Sequence, residues 1–219
     1  MLNNLTMRKM IVCTLLAMVV LAPAMAQKDN RAKTILDAMS KQYQSLKSYQ
    51  AVFSFTTEGG GVKETLKGDL SVKDGKFRLK LGGQDVYSDG KAMYTYVKET
   101  NEVNVQETDN STANDLNPAR IYTMYQRGFT YKFLKETKQA GRTLEVIELT
   151  PDKKDAQVAR VQISVDKITK SIKNWRITDK TGKRTTYTIS AFKPNIVLSD
   201  SYFVFDKGKY PGVEVVDLR

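Results

Sequence analysis

The sequence predicts a mainly β protein: an antiparallel succession of about eleven strands that must curl into a barrel or half-barrel, or pair as a sandwich. Three observations carry this expectation. From Val62 to Val72 the even positions are largely apolar (Val62, Leu66, Leu70, Val72), whereas the odd positions are polar (Lys63, Thr65, Lys67, Asp69, Ser71), which is the two-residue period of a strand with one greasy face. Tight-turn dipeptides then punctuate the alternation, notably Asp74-Gly75 and Asp89-Gly90, where glycine accepts the positive φ of a hairpin. Finally, no strand-like run is followed by the long helical pattern of a parallel crossover, so an α/β fold is not expected.

The chain has 219 residues and a net charge of +11, with 41% hydrophobic and 27% charged residues, which suits a globular chain of one all-β domain. Its first 26 residues read as a secretory signal peptide. Arg8-Lys9 precedes an apolar run from Met10 to Leu21, Pro23 interrupts it, and Ala24-Met25-Ala26 closes it with small residues. That order places cleavage after Ala26 and the mature domain at residues 27–219. The run is too short for a bilayer span, which needs about 20 residues. Cys13 is the sole cysteine and falls inside this segment, so the expected mature domain has neither disulfide nor thiolate chemistry.

An amphipathic helix opens the domain. Asp29 or Asn30 can cap it, and Ala32, Ile35, Leu36, Met39, Tyr43 and Leu46 form one stripe. A strand from Gln50 to Thr57 turns Ala51, Phe53 and Phe55 to one side. After the Val62 strand, Phe77, Leu79 and Leu81 oppose Lys76, Arg78 and Lys80. Met93–Val97 and Val103 with Val105 complete the meander. The polar stretch Glu107–Asp115 leads to a short helix with Asn117 as its cap, Pro118 in its first turn, Ile121, Met124 and Tyr125 on its apolar face, and Gly128 at its end. Strands follow at Phe129–Thr137, Leu144–Thr150, Val158–Asp166 and Ser171–Asp179. The next run places Thr185, Tyr187, Ile189 and Ala191 on one face, and Phe203 and Phe205 suggest a last extended piece.

The absence of histidine removes imidazole bases, histidine triads and imidazole metal sites. Carboxylates such as Asp69, Asp85, Glu145 and Glu148 sit on strands among lysines, where a solvated face is the simpler reading than a paired-carboxylate enzyme. No phosphate-binding or dinucleotide motif is present, so no catalytic residue, metal or cofactor is assigned. The basic residues are dispersed along strand faces rather than clustered with aromatics, so no nucleic-acid partner is expected. A solvated cationic face also tolerates anionic lipid headgroups.

Gly68-Asp69-Leu70-Ser71-Val72-Lys73, then Phe77, then Ser88-Asp89-Gly90-Lys91 before an aromatic strand, resembles the LolA family of periplasmic lipoprotein carriers of Gram-negative bacteria. Phe203-Val204-Phe205 before Pro211-Gly212-Val213-Glu214-Val215 is similar to that family's C-terminal element. The resemblance spans the expected mature chain in element order. It implies an unclosed β-barrel with an N-terminal helix and a helical lid, a periplasmic location, and a cavity for the acyl chains of lipoproteins or other lipids. It implies an inner-membrane lipoprotein-releasing transporter as donor and an outer-membrane receptor as acceptor. The cavity candidates are Phe53, Phe55, Leu66 and Leu70 on the first two strands, Phe77 and Leu79 on the third, and Met93, Tyr94 and Tyr96 further on. The lid candidates are Ile121, Met124 and Tyr125. Where many family members place an arginine after the Val-Lys of the meander, this chain has Asp74 in its Asp-Gly turn. A reading of another class is a ligand-free or lipid-sensing interaction or regulatory domain on the same fold.

Overall fold

The computed structural model describes residues 29–108 and 121–219. The expected signal segment, and the expected cap and first turn of the short helix at Asn117 and Pro118, lie outside the described residues.

Helix α1 spans Asn30–Gln44, and its cap is Asp29, whose Oδ1 accepts from the backbone N–H groups of Arg31 and Ala32. The other carboxylate oxygen accepts from the Phe133 N–H at 2.7 Å, so one side chain both starts the helix and ties it to a strand. Burial follows the apolar stripe: Ala32, Ile35, Leu36, Met39 and Tyr43 are all inside.

The strands are β1 (Ser48–Gly59), β2 (Val62–Lys73), β3 (Lys76–Leu81), β4 (Gln84–Ser88), β5 (Ala92–Val97), β6 (Glu102–Glu107), β7 (Phe129–Gln139), β8 (Arg142–Pro151), β9 (Val158–Asp166), β10 (Ile172–Asp179), β11 (Arg184–Pro194) and β12 (Glu214–Asp217). They form a single 12-stranded sheet in the order β12-β6-β5-β4-β3-β2-β1-β11-β10-β9-β8-β7. The meander β1–β6 and the return β7–β11 are joined by the antiparallel β1–β11 ladder. The end strands β7 and β12 do not pair with each other, so the barrel is unclosed.

Three expectations are corrected. The last strand is β12, and it runs parallel to β6 with Val215 opposite Val103. The chain reaches that edge after crossing the convex face, and it therefore arrives in the direction of β6. Phe203 and Phe205 are not part of a strand: Asp200–Phe203 is a 3-10 turn, and a second follows at Lys207–Lys209. Their two-residue spacing serves instead to send both rings onto the convex face. The short helix before β7 is likewise a 3-10 segment, Ile121–Gln126, with Ile121, Met124 and Tyr125 buried.

The sheet consequently has two apolar layers. On the concave face, α1 and the Ile121–Gln126 segment cover Tyr49, Phe53, Leu70, Val72, Phe77, Ile147, Leu149, Val161, Ile163 and Val165. On the convex face, the strap from residue 195 to residue 213 runs over β2–β6. Tyr87, Val103, Val105, Phe203 and Val213 are buried there, outside the concave cluster. The Phe205 ring stacks on Tyr94 at 5.8 Å and on Tyr210 at 4.9 Å. Lys73 and Lys76, on either side of the Asp74-Gly75 turn, both reach Asp200, at 2.9 and 3.2 Å. Asp74 adopts φ +50°, a left-handed geometry that Asp tolerates. The turn that bears Asp74 thus anchors the strap through its flanking lysines.

Candidate ligand cavity

A cavity of about 180 Å³ lies between the concave face and α1. β1 contributes Tyr49, Ala51 and Phe53; β2 and β3 contribute Leu70, Leu79 and Leu81. The opposite wall is Ile172, Trp175 and Ile177 of β10 with Tyr187, Ile189 and Phe192 of β11. Tyr43 of α1 and Ile121 form the roof. Among the described residues no charged side chain lines it, and an apolar cavity of this kind excludes water and accepts hydrocarbon.

Local geometry explains the wall. On β1 the inward side chains alternate through Tyr49, Ala51 and Phe53, and Phe53 lies opposite Gly68 in the β1–β2 ladder. A Cβ on Gly68 would stand 2.7 Å from Phe53 Cζ and 2.7 Å from the Lys80 carbonyl oxygen, so glycine makes room for the Phe53 ring. A bulge between Val52 and Phe53 shifts the register with β11, pairing Ala51 with Phe192 and Val52 with Ala191. This corrects the expected face of β11: Phe192, not Ala191, joins Tyr187 and Ile189 inside. Trp175 and Tyr187 stack at 4.3 Å and 10°, and Phe55 meets Tyr187 edge-on at 5.0 Å.

The roof is held by polar contacts behind the apolar surface. The Tyr43 hydroxyl accepts from the Ile172 N–H at 3.1 Å, and burial pushes its pKa up to about 12 even though that bond works the other way. Burial also raises the Tyr49 hydroxyl. Both rings therefore stay neutral at any physiological pH, as an apolar chamber requires. Tyr122 stacks on Tyr43 at 5.4 Å and 12°.

Of the residues expected at the cavity, Phe53, Leu70 and Leu79 stand on its wall, and Ile121, expected in the lid, also lines it. Phe77 is buried in the same concave cluster, and Phe55 and Met93 pack against that cluster, but none of the three is on the cavity wall. Leu66, opposite Phe55, is half-buried. Met124 and Tyr125 are buried in the segment beside α1. Tyr94 and Tyr96 are corrected: they lie on the convex face under Phe205 and Tyr210. Alternation forbids the expected grouping, since Met93 and Tyr94 are neighbours on β5 and point to opposite faces. Sequence reading missed the β10–β11 wall as a site. Its signal was present in the alternating Trp175 and Ile177 and in Tyr187, which lies opposite Trp175, but only the ladder brings that hairpin against β1.

An open barrel whose concave face holds an apolar cavity beneath a helix defines the class of protein. The chain belongs to the LolA family: residues 44–206 match the family described as outer membrane lipoprotein carrier protein LolA. An uncharacterized protein of Methanocaldococcus jannaschii is 30% identical over 122 residues, 54% of this chain and 36% of that protein, so the chain spans about a third of that relative's length. An uncharacterized conserved protein of Thermus thermophilus has a similar solved structure, with 13% identity, 85% of this chain and 99% of that chain covered, and a TM-score of 0.59. A LolA superfamily protein of Nitrosomonas europaea aligns over 80% of this chain and 97% of its own, with 12% identity and a TM-score of 0.43.

Proposed function

We propose that this protein is an exported carrier, not an enzyme, that shelters acyl chains of lipoproteins or other lipids in its concave cavity and delivers them to the outer membrane. The observation that supports the reading most is the uniformly apolar wall, built from six aromatic rings and interleaved aliphatic side chains with no charged group among the described residues. Each acyl methylene withdrawn from water stabilises a complex by about 0.8 kcal/mol. Membership in a family described as lipoprotein carriers supports the donor and acceptor expected above, a releasing transporter in the inner membrane and a receptor in the outer one. The Arg8-Lys9, apolar, Ala-x-Ala order supports export with Gln27 as the first mature residue.

The test is binding of a fluorescent fatty-acyl probe to delipidated protein. Wild type should bind. Phe53→Glu, which puts a carboxylate on the wall, should abolish binding, because an ionised group there carries a desolvation cost of several kcal/mol. Lys67→Glu, an exposed change, should alter binding by about 0.5 kcal/mol or less. Circular dichroism would confirm that each variant is folded. Folded, delipidated wild type that binds no probe would rule the carrier out.

A further inference from the structure

We infer that the convex face carries a second ligand site, a groove for a phosphate group, separate from the acyl cavity. The groove measures about 560 Å³ and lies around the turn between β3 and β4. The register builds its floor. Asp69 of β2 lies opposite Lys80 of β3, Lys80 opposite Asp85 of β4, and Asp85 opposite Tyr96 of β5. Residues opposite one another in an antiparallel ladder share a face, so all four stand on the convex side with Tyr96. Lys67 joins them two residues before Asp69. Lys98 follows the end of β5, where its N–H donates to the Gly83 carbonyl at 3.1 Å and fixes it beside the Gly82-Gly83 turn. Tyr210 of the strap closes the far wall, with its ring 4.3 Å from that of Tyr96 and its hydroxyl 2.7 Å from that of Tyr87.

The charge in this groove is unbalanced. On β2 and β3 every basic side chain outside it is paired: Lys63 with Glu58, Lys73 and Lys76 with Asp200, and Arg78 with Asp85. Lys67 and Lys80, which line the groove together with Lys98, have no partner for their ammonium groups among the described residues, and neither has Lys98. Two carboxylates share the space, but Asp85 is already matched. Arg78 donates to both of its oxygens, at 3.0 and 2.6 Å, and the Tyr87 hydroxyl donates at 3.1 Å. Three ammonium groups are left facing Asp69 alone, an excess of two positive charges. The type of donor selects the anion. A flat carboxylate is best met by the fork of a guanidinium, and the guanidinium that reaches Asp85 is spent on it. Lysines are separate point charges, here from two strands and a turn, and they suit the several oxygens of a tetrahedral phosphate.

The experiment is calorimetric titration of the protein at low salt with glycerol 3-phosphate, and with glutarate as a dicarboxylate of equal charge. Glycerol 3-phosphate should bind at least about tenfold more tightly than glutarate. Lys80→Gln and Lys98→Gln should each weaken it by about fivefold, as the loss of one solvent-exposed charge contact implies. Lys153→Gln, at an exposed lysine outside the groove, should leave it unchanged, and circular dichroism would confirm folding. Sedimentation with phosphatidylcholine vesicles, with and without phosphatidic acid, separates two sources of the group. Retention that requires phosphatidic acid and is lost in Lys80→Gln assigns a lipid headgroup, whereas titration by glycerol 3-phosphate without retention assigns a soluble phosphoester. Glutarate that binds as tightly as glycerol 3-phosphate would overturn the phosphate assignment in favour of a carboxylate ligand such as an acidic peptide. Wild type that binds neither glycerol 3-phosphate nor the vesicles, or Lys80→Gln and Lys98→Gln proteins that bind as wild type does, would remove the site. The groove and the cavity lie on opposite faces of the sheet, so each of these results leaves the acyl-binding reading untouched.

Discussion

The Tyr125 hydroxyl donates to Asp37 Oδ1 at 2.8 Å, and through this bond the segment that roofs the cavity is fastened to α1. Asp37 also accepts from Lys33 one helical turn earlier. That lysine, and then Tyr125, hold its carboxyl below the ordinary range despite partial burial. The acceptor is therefore charged at neutral pH, and the fastening is a charge-assisted hydrogen bond.

Tyr125→Phe keeps the ring and deletes the donor. Removing a hydrogen bond to a charged group costs about 1.5–3 kcal/mol where it is buried and less where it is half-exposed. Amide exchange across residues 121–126 should accelerate by about tenfold, while the β1–β2 ladder keeps its protection. Equal protection in both proteins would show that the fastening is idle.

Asp166 sets an acid limit. It is 1% exposed, and its carboxyl accepts from the N–H groups of Ile168 and Thr169 and from Arg142. Burial works to raise its pKa, but those donors override it and hold the group at about 2, below the ordinary 3.8. A depressed carboxyl stabilises the fold above its unfolded pKa, and that contribution is lost as the pH falls from about 4 to about 2. The amount is about 2 kcal/mol. Asp166→Asn should flatten this part of the stability curve, as read by urea unfolding at pH steps between those values.

Gly68→Ala forces a contact that the structure cannot hold. The new methyl meets both a ring and a backbone oxygen at 2.7 Å, and overpacking of this kind costs about 1–3 kcal/mol. Melting should fall by roughly 5 °C, given about 2–4 °C per kcal/mol for a chain of this size. Phe53→Leu in the same background should recover part of the loss by vacating the ring position.

The strap separates surface charge from burial. Asp200→Ala removes both lysine contacts, yet Asp200 is 66% exposed, and such pairs contribute about 0–1 kcal/mol each. Phe203→Ala deletes a ring that is 0% exposed and should cost about 3–5 kcal/mol. Chemical denaturation of the two variants side by side checks the ranking.

The period-two alternation made the strands legible, because a side chain's face is a local property of the backbone. The bounds of β9 and the stripe of α1 follow from the sequence in this way. What spans the sheet was less legible. Tyr94 and Tyr96 look like any inward aromatics until the strap is seen to cover them, since burial on the convex face depends on a segment more than a hundred residues further on. Phe192 replaces Ala191 because of a bulge opposite Val52, and no residue type announces it. Gly82-Gly83, both at positive φ, turns β3 into β4, a hairpin that the Asp-Gly signals alone did not mark.

An unclosed sheet keeps two open edges, and an edge is a template on which a second chain can polymerise. The Asp29 carboxylate already occupies the Phe133 N–H on β7, and the register breaks beside it at Leu134. Lys132, Lys135, Glu136 and Lys138 add charged side chains along the same strand. The other edge, β12, is four residues long and carries Glu214 and Asp217. The open sheet is thus guarded at both margins against fibre growth, and on β7 the guard includes the residue that caps the first helix.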